Sequence, residues 1–226
     1  MTVIGIFDAY NRNGGFHGVS RRESGTGGRS FHRSVGKLPS HCEVIYANAN
    51  QDVARQQQQT EAAITQGADA IVISAVDVAS AGALVQRAEQ SDVPVIAYGR
   101  LIPDAPIDYY VSIDPFEVGQ QQARVQLDAL EREGVDDARI VMINGAPTDS
   151  NAKPYKDGAR QTFERAGAEI VRSFDTADWS PDRAQQEIEQ AITHLRSDGF
   201  LAVYVGNEGM AGRAIAEVTG SMGMTS

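Results

Sequence analysis

From residue 44 onward, short apolar runs alternate with longer stretches whose apolar residues recur every three or four positions. The runs 44–47, 70–74, 94–98, 139–143, 168–172 and 201–205 have the length of strands. The stretches between them, 53–65, 78–90, 116–133, 152–166, 182–196 and 210–218, carry helical spacing. In 53–65 the apolar positions are 54, 62, 63 and 64; in 116–133 they are Val118, Ala123, Val125, Leu127 and Leu130. An earlier run, 2–8, reads as a first strand, and 111–113 reads as a crossover. Strands separated by helical patterns predict parallel βαβ units with right-handed crossovers. The predicted fold is α/β: two Rossmann-like lobes with parallel sheets, an N-terminal lobe over 1–112 and a C-terminal lobe over 113–226. A hinge near 110–115 would join them.

One stretch breaks this pattern. Residues 13–41 contain Gly14, Gly15, Gly18, Gly25, Gly27, Gly28 and Gly36, five serines and almost no periodic apolar residues. From Arg12 to His41 there are six basic residues and one acidic residue. Such a composition buries too little surface to offset the entropy of ordering, so an irregular segment is expected. A phosphate-binding loop is one reading, but neither glycine-rich nucleotide signature is present. A metal site using His17, His32 and His41 is another, but their spacing matches no ligand pattern, so no metal and no cofactor are expected.

Composition narrows the function classes. Hydrophobic content of 42% with 22% charge is ordinary for a globular chain. No apolar run approaches transmembrane length, so a membrane-spanning role is not expected. The formal net charge of −10 argues against nucleic acid as a partner. The single cysteine, Cys42, cannot form an internal disulfide, and it is read as a poor nucleophile candidate. No Ser/His/Asp arrangement is visible. His194 lies in a helical pattern with Ile188, Ala191, Ile192 and Leu195 and is expected to be exposed.

The candidate chemistry lies where predicted strands end. Residues 145–153 read GAPTDSNAK, directly after the run 139–143. Asp149 and Asn151 therefore fall on a strand-to-helix loop at a carboxyl end, the edge where open α/β sheets bind ligands. A carboxylate accepts hydrogen bonds, while a carboxamide donates and accepts, a pairing suited to a neutral polyol. The same residues also serve as turn formers, and Asn151 reads equally as an N-cap. Arg100 follows the run 94–98; it is either a fork for a ring oxygen and a hydroxyl or a surface arginine covering apolar area. Trp179, the sole tryptophan, sits in DWSP, which reads as an exposed loop before a helix. Its ring could stack on a sugar or belong to the core or lobe surface. Asn207 follows 201–205, and Glu208 is expected to cap the next helix. Gln56–Gln59 reads as a polar helix face, and Tyr109-Tyr110 as packing near the hinge.

Taken in order, these stretches resemble the periplasmic sugar-binding proteins of ABC transporters, most closely the D-xylose-binding branch. The resemblance rests on 43–52 (EVIYANANQD), 67–74 (GADAIVIS), 93–102 (VPVIAYGRLI), 108–119 (DYYVSIDPFEVG), the GAPTDSNAK loop, Trp179 in DWSP, and Asn207-Glu208. It covers roughly 43–219 well and 2–10 weakly. It implies the type I binding-protein fold, a monosaccharide held between two lobes, and ligand contacts from Arg100, Asp149, Asn151, Trp179 and Asn207. It further implies a monomer without catalysis that delivers its sugar to an ABC permease in the periplasm or outside the cell. Two positions depart from the family pattern. Gly99 stands where the family usually has Asp, which removes an acceptor and should loosen the loop. Glu208 stands where the family typically has Asp.

The family places its first crossover helix where this chain has 13–41, and family-like sequence resumes abruptly at Glu43. A disturbed reading frame over that segment is the expected cause. The final residues, 219–226, stop where relatives continue, so an incomplete C-terminal lobe is expected. No signal-peptide pattern precedes the first strand. The rival reading is a nucleotide-dependent enzyme of the doubly wound class. It would need a glycine fingerprint after the first strand and an acid after the second, where this chain has Asn48–Asn50.

Overall fold

Three aspartates start three helices. Asp52, Asp77 and Asp114 each have extended backbone, and each side chain accepts a hydrogen bond from the amide three residues on. This satisfies one of the orphan donors at a helix N-terminus. They open α1 (Val53–Thr65), α2 (Val78–Glu89) and α3 (Pro115–Arg132), the last with Pro115 in its first turn. The structure, a computed structural model, describes residues 2–7, 43–195 and 199–221. The glycine-rich segment 13–41, with its three histidines, and Cys42 lie outside these residues.

The chain divides into two compact units: Met1–Ile113 with Thr148–Ser150, and Asp114–Pro147 with Asn151–Ser226. In the first, β1 (Thr2–Phe7), β2 (Glu43–Asn48), β3 (Ala70–Ile73), β4 (Val95–Tyr98) and β5 (Tyr109–Val111) form a parallel sheet in the order β2-β1-β3-β4-β5. Residues 109–111 thus form an edge strand on β4, just where the sequence suggests a crossover over 111–113. Tyr109 and Tyr110 are exposed on it rather than packed. The core gathers Ile71, Ile73, Val95 and Ala97 of the strands with Ala81, Leu84, Val85 and Ala88 of α2.

The buried face of α1 is not the apolar one. Gln56, Thr60 and Ala63 are buried, whereas Val53 and Ala54 are exposed. The Gln56 amide explains this. Its Nε2 donates to the Ser74 carbonyl at 2.8 Å, and its Oε1 accepts from the Val76 amide at 2.9 Å. A buried carboxamide with both ends satisfied ties α1 to the loop after β3, so the reading of Gln56 as part of a polar surface is corrected. Gln57 and Gln58 do face out.

In the second unit β6 (Arg139–Asn144) runs between β7 (Glu169–Asp175) and β8 (Ala202–Val205), all parallel. Ile140, Val141, Met142 and Ile143 are fully buried, as expected of a strand covered on both faces. Val141 and Ile143 pack with Ala184, Ile188 and Ala191 of α5 (Pro181–Leu195) and with Met210 of α6 (Glu208–Ser221). Ile140 and Met142 pack with Ala123 of α3, and with Ala159 and Phe163 of α4 (Ala152–Arg165). Helices α3 and α4 approach closely. A Cβ at Gly119 would stand 2.1 Å from the Tyr155 carbonyl oxygen, and one at Gly158 the same distance from that of Phe116. Val125, placed on the apolar side of this helix by its spacing, is exposed.

Candidate functional site

The first unit presents its candidate residues beyond β3 and β4. The chain leaves β4 at Gly99, whose φ of +79° lies in the region that side-chained residues rarely adopt. Its amide donates to the Val111 carbonyl at 2.8 Å, and its carbonyl accepts from the Ser112 hydroxyl at 2.7 Å. Glycine here is an anchored turn rather than a loosened one, which corrects the expectation from sequence. The turn aims Arg100 at the loop after β3, where its Nη1 donates to the carbonyls of Ala75 and Val76. That loop is the one Gln56 holds from the other side. Its neighbour, the Val78 amide, donates to the Thr148 carbonyl at 3.2 Å.

Arg100 Nε also lies 2.8 Å from Asp149 Oδ2, with the two side chains 13% and 6% exposed. Two residues singled out separately from sequence are therefore partners of one another. Out of bulk water the attraction strengthens, and each charge limits the desolvation penalty of the other. Thr148–Ser150, although the chain reaches them from β6, count with the first unit.

In the second unit the carboxyl ends of β6, β7 and β8 meet around Trp179. The expectation of an exposed loop is corrected: Trp179 is 6% exposed and closes a short 3-10 turn, Ala177–Trp179. Its six-membered ring lies over two glycines. A Cβ at Gly145 would stand 2.1 Å from Cη2 and Cζ2, and one at Gly206 3.1 Å from Cζ3. Those glycines directly follow β6 and β8, so the indole rests on the end of the sheet. The turn is strained, with Asp178 and Trp179 at φ of +59° and +51°.

Several bonds hold it. The Thr176 amide donates to the Asn144 carbonyl, and the Trp179 amide to the Thr176 carbonyl, both at 3.3 Å. Thr176 is fully buried, and its hydroxyl donates to Glu187 Oε2 of α5 at 2.6 Å. Burial pushes the Glu187 carboxyl up; the Thr176 hydrogen bond and the Arg183 charge oppose this, and Asp175 adds to it. Asn144 Nδ2 reaches the Phe174 carbonyl at 2.6 Å and the Ser173 hydroxyl at 3.0 Å, fixing β7 beside β6. Lys156 closes on Asp175 at 2.9 Å.

Asn151 occupies the N-cap position of α4, yet its side chain makes no capping hydrogen bond. Asn207 does cap: its Oδ1 accepts from the Met210 amide at 2.9 Å at the start of α6. Glu208, expected to be the cap, is instead the first helical residue. The cap engages the Asn207 oxygen and leaves the N–H groups of its amide to face other chemistry. His194 is exposed, as its spacing implies, with Nδ1 2.7 Å from the Gln190 carbonyl oxygen.

Sequence reasoning missed Gln56, Thr176, Glu187 and the paired glycines. The glycines carried a readable signal, since each follows a strand and precedes a candidate polar residue. Gln56 and Glu187 carried none, being polar residues on helices. Among the described residues no group of three or more His, Cys, Asp or Glu could hold a metal ion. Nor, among them, is any helix long and apolar enough to cross a membrane.

A family model described as "Periplasmic binding protein domain" matches residues 35–224. The D-xylose-binding periplasmic protein of Escherichia coli K12 is 30% identical over 177 residues, covering 76% of this chain and 52% of that protein. The multiple sugar-binding periplasmic receptor ChvE of Rhizobium radiobacter is 29% identical, covering 66% and 46%. The chain thus spans about half the length of these curated relatives. Among solved structures, an ABC transporter solute-binding protein from Clostridium phytofermentans with bound β-D-glucose superimposes with a TM-score of 0.79 at 23% identity, covering 96% of this chain and 68% of that one. The fructose-binding periplasmic domain of a hybrid two-component system gives a TM-score of 0.80 at 19% identity, covering 99% and 69%. Such likeness shows the type I binding-protein fold. These relatives are solute-binding proteins and not enzymes, which sets the nucleotide-dependent reading aside.

Proposed function

Because the chain belongs to the periplasmic binding protein domain family, we propose that it captures a monosaccharide, xylose or a related aldose, and serves an ABC permease in the periplasm. The observation that carries this reading is the Arg100–Asp149 pair, a partly desolvated charge pair beyond the carboxyl ends of strands. In this reading Asp149 accepts from a sugar hydroxyl and Arg100 donates to the ring. The amides of Asn151 and Asn207 donate to further hydroxyls, and Trp179 gives an apolar wall to the C–H face. No bond is made or broken; selectivity comes from hydrogen bonds that a wrong epimer leaves unmade.

A thermal-shift screen of xylose, ribose, arabinose, glucose, galactose and xylitol, with nucleotides as controls, tests the reading. A sugar at about a hundred times its Kd should stabilise the chain by about 2.7 kcal/mol through mass action. Stabilisation by a nucleotide and by no sugar would contradict it.

A further inference from the structure

We propose that Glu187 is a positioning residue for Trp179. It accepts the Thr176 hydroxyl and thereby fixes the turn that lays the indole across the ends of β6 and β8. The turn puts two consecutive residues without glycine's freedom, Asp178 and Trp179, at positive φ. Each such residue costs roughly 1–3 kcal/mol and persists only where the surroundings determine it. The backbone bonds of the turn are long, at 3.2–3.3 Å from Thr176, Trp179 and Ser180. The short bond is the one from a side chain, Thr176 Oγ1 to Glu187 Oε2 at 2.6 Å. A hydroxyl donating to a carboxylate is also roughly twice as strong as a neutral pair.

Glu187 stands on α5, whose Ala184, Ile188 and Ala191 are fully buried in the same core as Trp179. The carboxylate is therefore held by a rigid helix, and through Thr176 it holds the turn. Gly145 and Gly206 supply the floor, and Glu187 sets where on that floor the indole comes to rest. Neither glycine can constrain the turn itself, because each offers only space.

For sugar affinity the inference rests on Trp179 lining the ligand site as proposed above; for the place of the indole it stands alone. Trp179 is the sole tryptophan, so its emission reports on this turn directly. Glu187→Leu and Thr176→Val each delete one end of the bond. Glu187→Gln and Thr176→Ser keep an acceptor and a donor. In the full chain without sugar, the two deleting variants should show red-shifted emission and acrylamide quenching about twofold above wild type, from local opening of the turn. The two conservative variants should stay near wild type, and the double deletion should add nothing to either single one. If Glu187→Leu fails to fold, the Thr176 pair alone decides. Unchanged emission and quenching in Thr176→Val would overturn the proposal. So would equal changes in the deleting and the conservative variants.

Xylose titrations separate the two ideas. Affinity falling about tenfold in the deleting variants alone supports both the positioning role and the sugar wall. Shifted emission with unchanged affinity supports the positioning role and removes Trp179 from the ligand site.

Discussion

Arg100 and Asp149 are bonded to each other, Nε to Oδ2 at 2.8 Å, with both side chains largely out of solvent. Neither residue can then be altered independently of the other. Removing Asp149 takes a carboxylate from beside the guanidinium, and removing Arg100 takes a guanidinium from beside the carboxylate. Each single change, Asp149→Ala or Arg100→Ala, should destabilise the chain by about 2–3 kcal/mol in urea denaturation. The double variant should lose less than the sum, with a coupling of about 1–3 kcal/mol. Additive losses would show that the pair contributes nothing as a pair.

Gly145→Ala should be costly although it adds one methyl group. The new Cβ would stand 2.1 Å from the Trp179 ring, so the indole must leave the sheet edge. Overpacking of this kind costs about 1–3 kcal/mol. Gly212→Ala in α6, where a Cβ meets nothing within 4 Å, should instead be neutral or gain up to about 1 kcal/mol from helix propensity. Urea midpoints and tryptophan emission of the two variants check the contrast.

Gln56→Leu should cost about 2–3 kcal/mol, because it strands the Ser74 carbonyl and the Val76 amide in a buried place. Gln57→Leu, one residue along on the exposed face, should stay within about 0.5 kcal/mol of wild type. Similar losses at the two positions would remove the special role given to Gln56.

Tyr204 predicts an alkaline dependence. Its hydroxyl is buried and donates to Gln122 Oε1 at 2.8 Å, and burial, helped by Tyr155, pushes its pKa well above the ordinary tyrosine value. Below about pH 10 the tyrosine is protonated in both the folded and the unfolded chain, and its contribution is constant. Above that, the unfolded chain releases a proton that the folded chain keeps. Stability should fall by up to about 1.4 kcal/mol per pH unit until the raised native value is reached. Tyr204→Phe should flatten the decline in urea midpoints between about pH 9 and about pH 11 relative to wild type. An unchanged slope would contradict the assignment.

The fold was legible because β6 and β8 of the second unit are largely apolar runs and each helix carries its own period. Two strands of its sheet and three of its helices lie within a residue of where the pattern puts them; β7 and α6 begin within a residue or two of it but each run three residues further. The α1 face was not legible, since a glutamine buried by two backbone hydrogen bonds has no apolar signature. Val125 misled for the opposite reason, because a helix stripe does not say which of its members a neighbour will cover. At the site, the strand-end positions of Arg100, Asn151 and Asn207 could be read from sequence. The pairing of Arg100 with Asp149 and the burial of Trp179 could not, because both depend on where distant loops return. Trp179 in DWSP looks exposed until two glycines from other strands make room for it.

The proposed function has this chain bind a monosaccharide through Asp149 and Asn151. Titration calorimetry of the full chain with xylose, ribose, arabinose, glucose and galactose tests it most directly. At least one aldose should give a saturable heat. Asn151→Ala, which disturbs no helix-cap bond, should weaken that sugar by about tenfold, and Asp149→Ala by about ten- to a hundredfold, in chains whose circular dichroism matches wild type. A folded wild-type chain that binds none of the five sugars, or one whose affinity is untouched by both substitutions, would contradict the account.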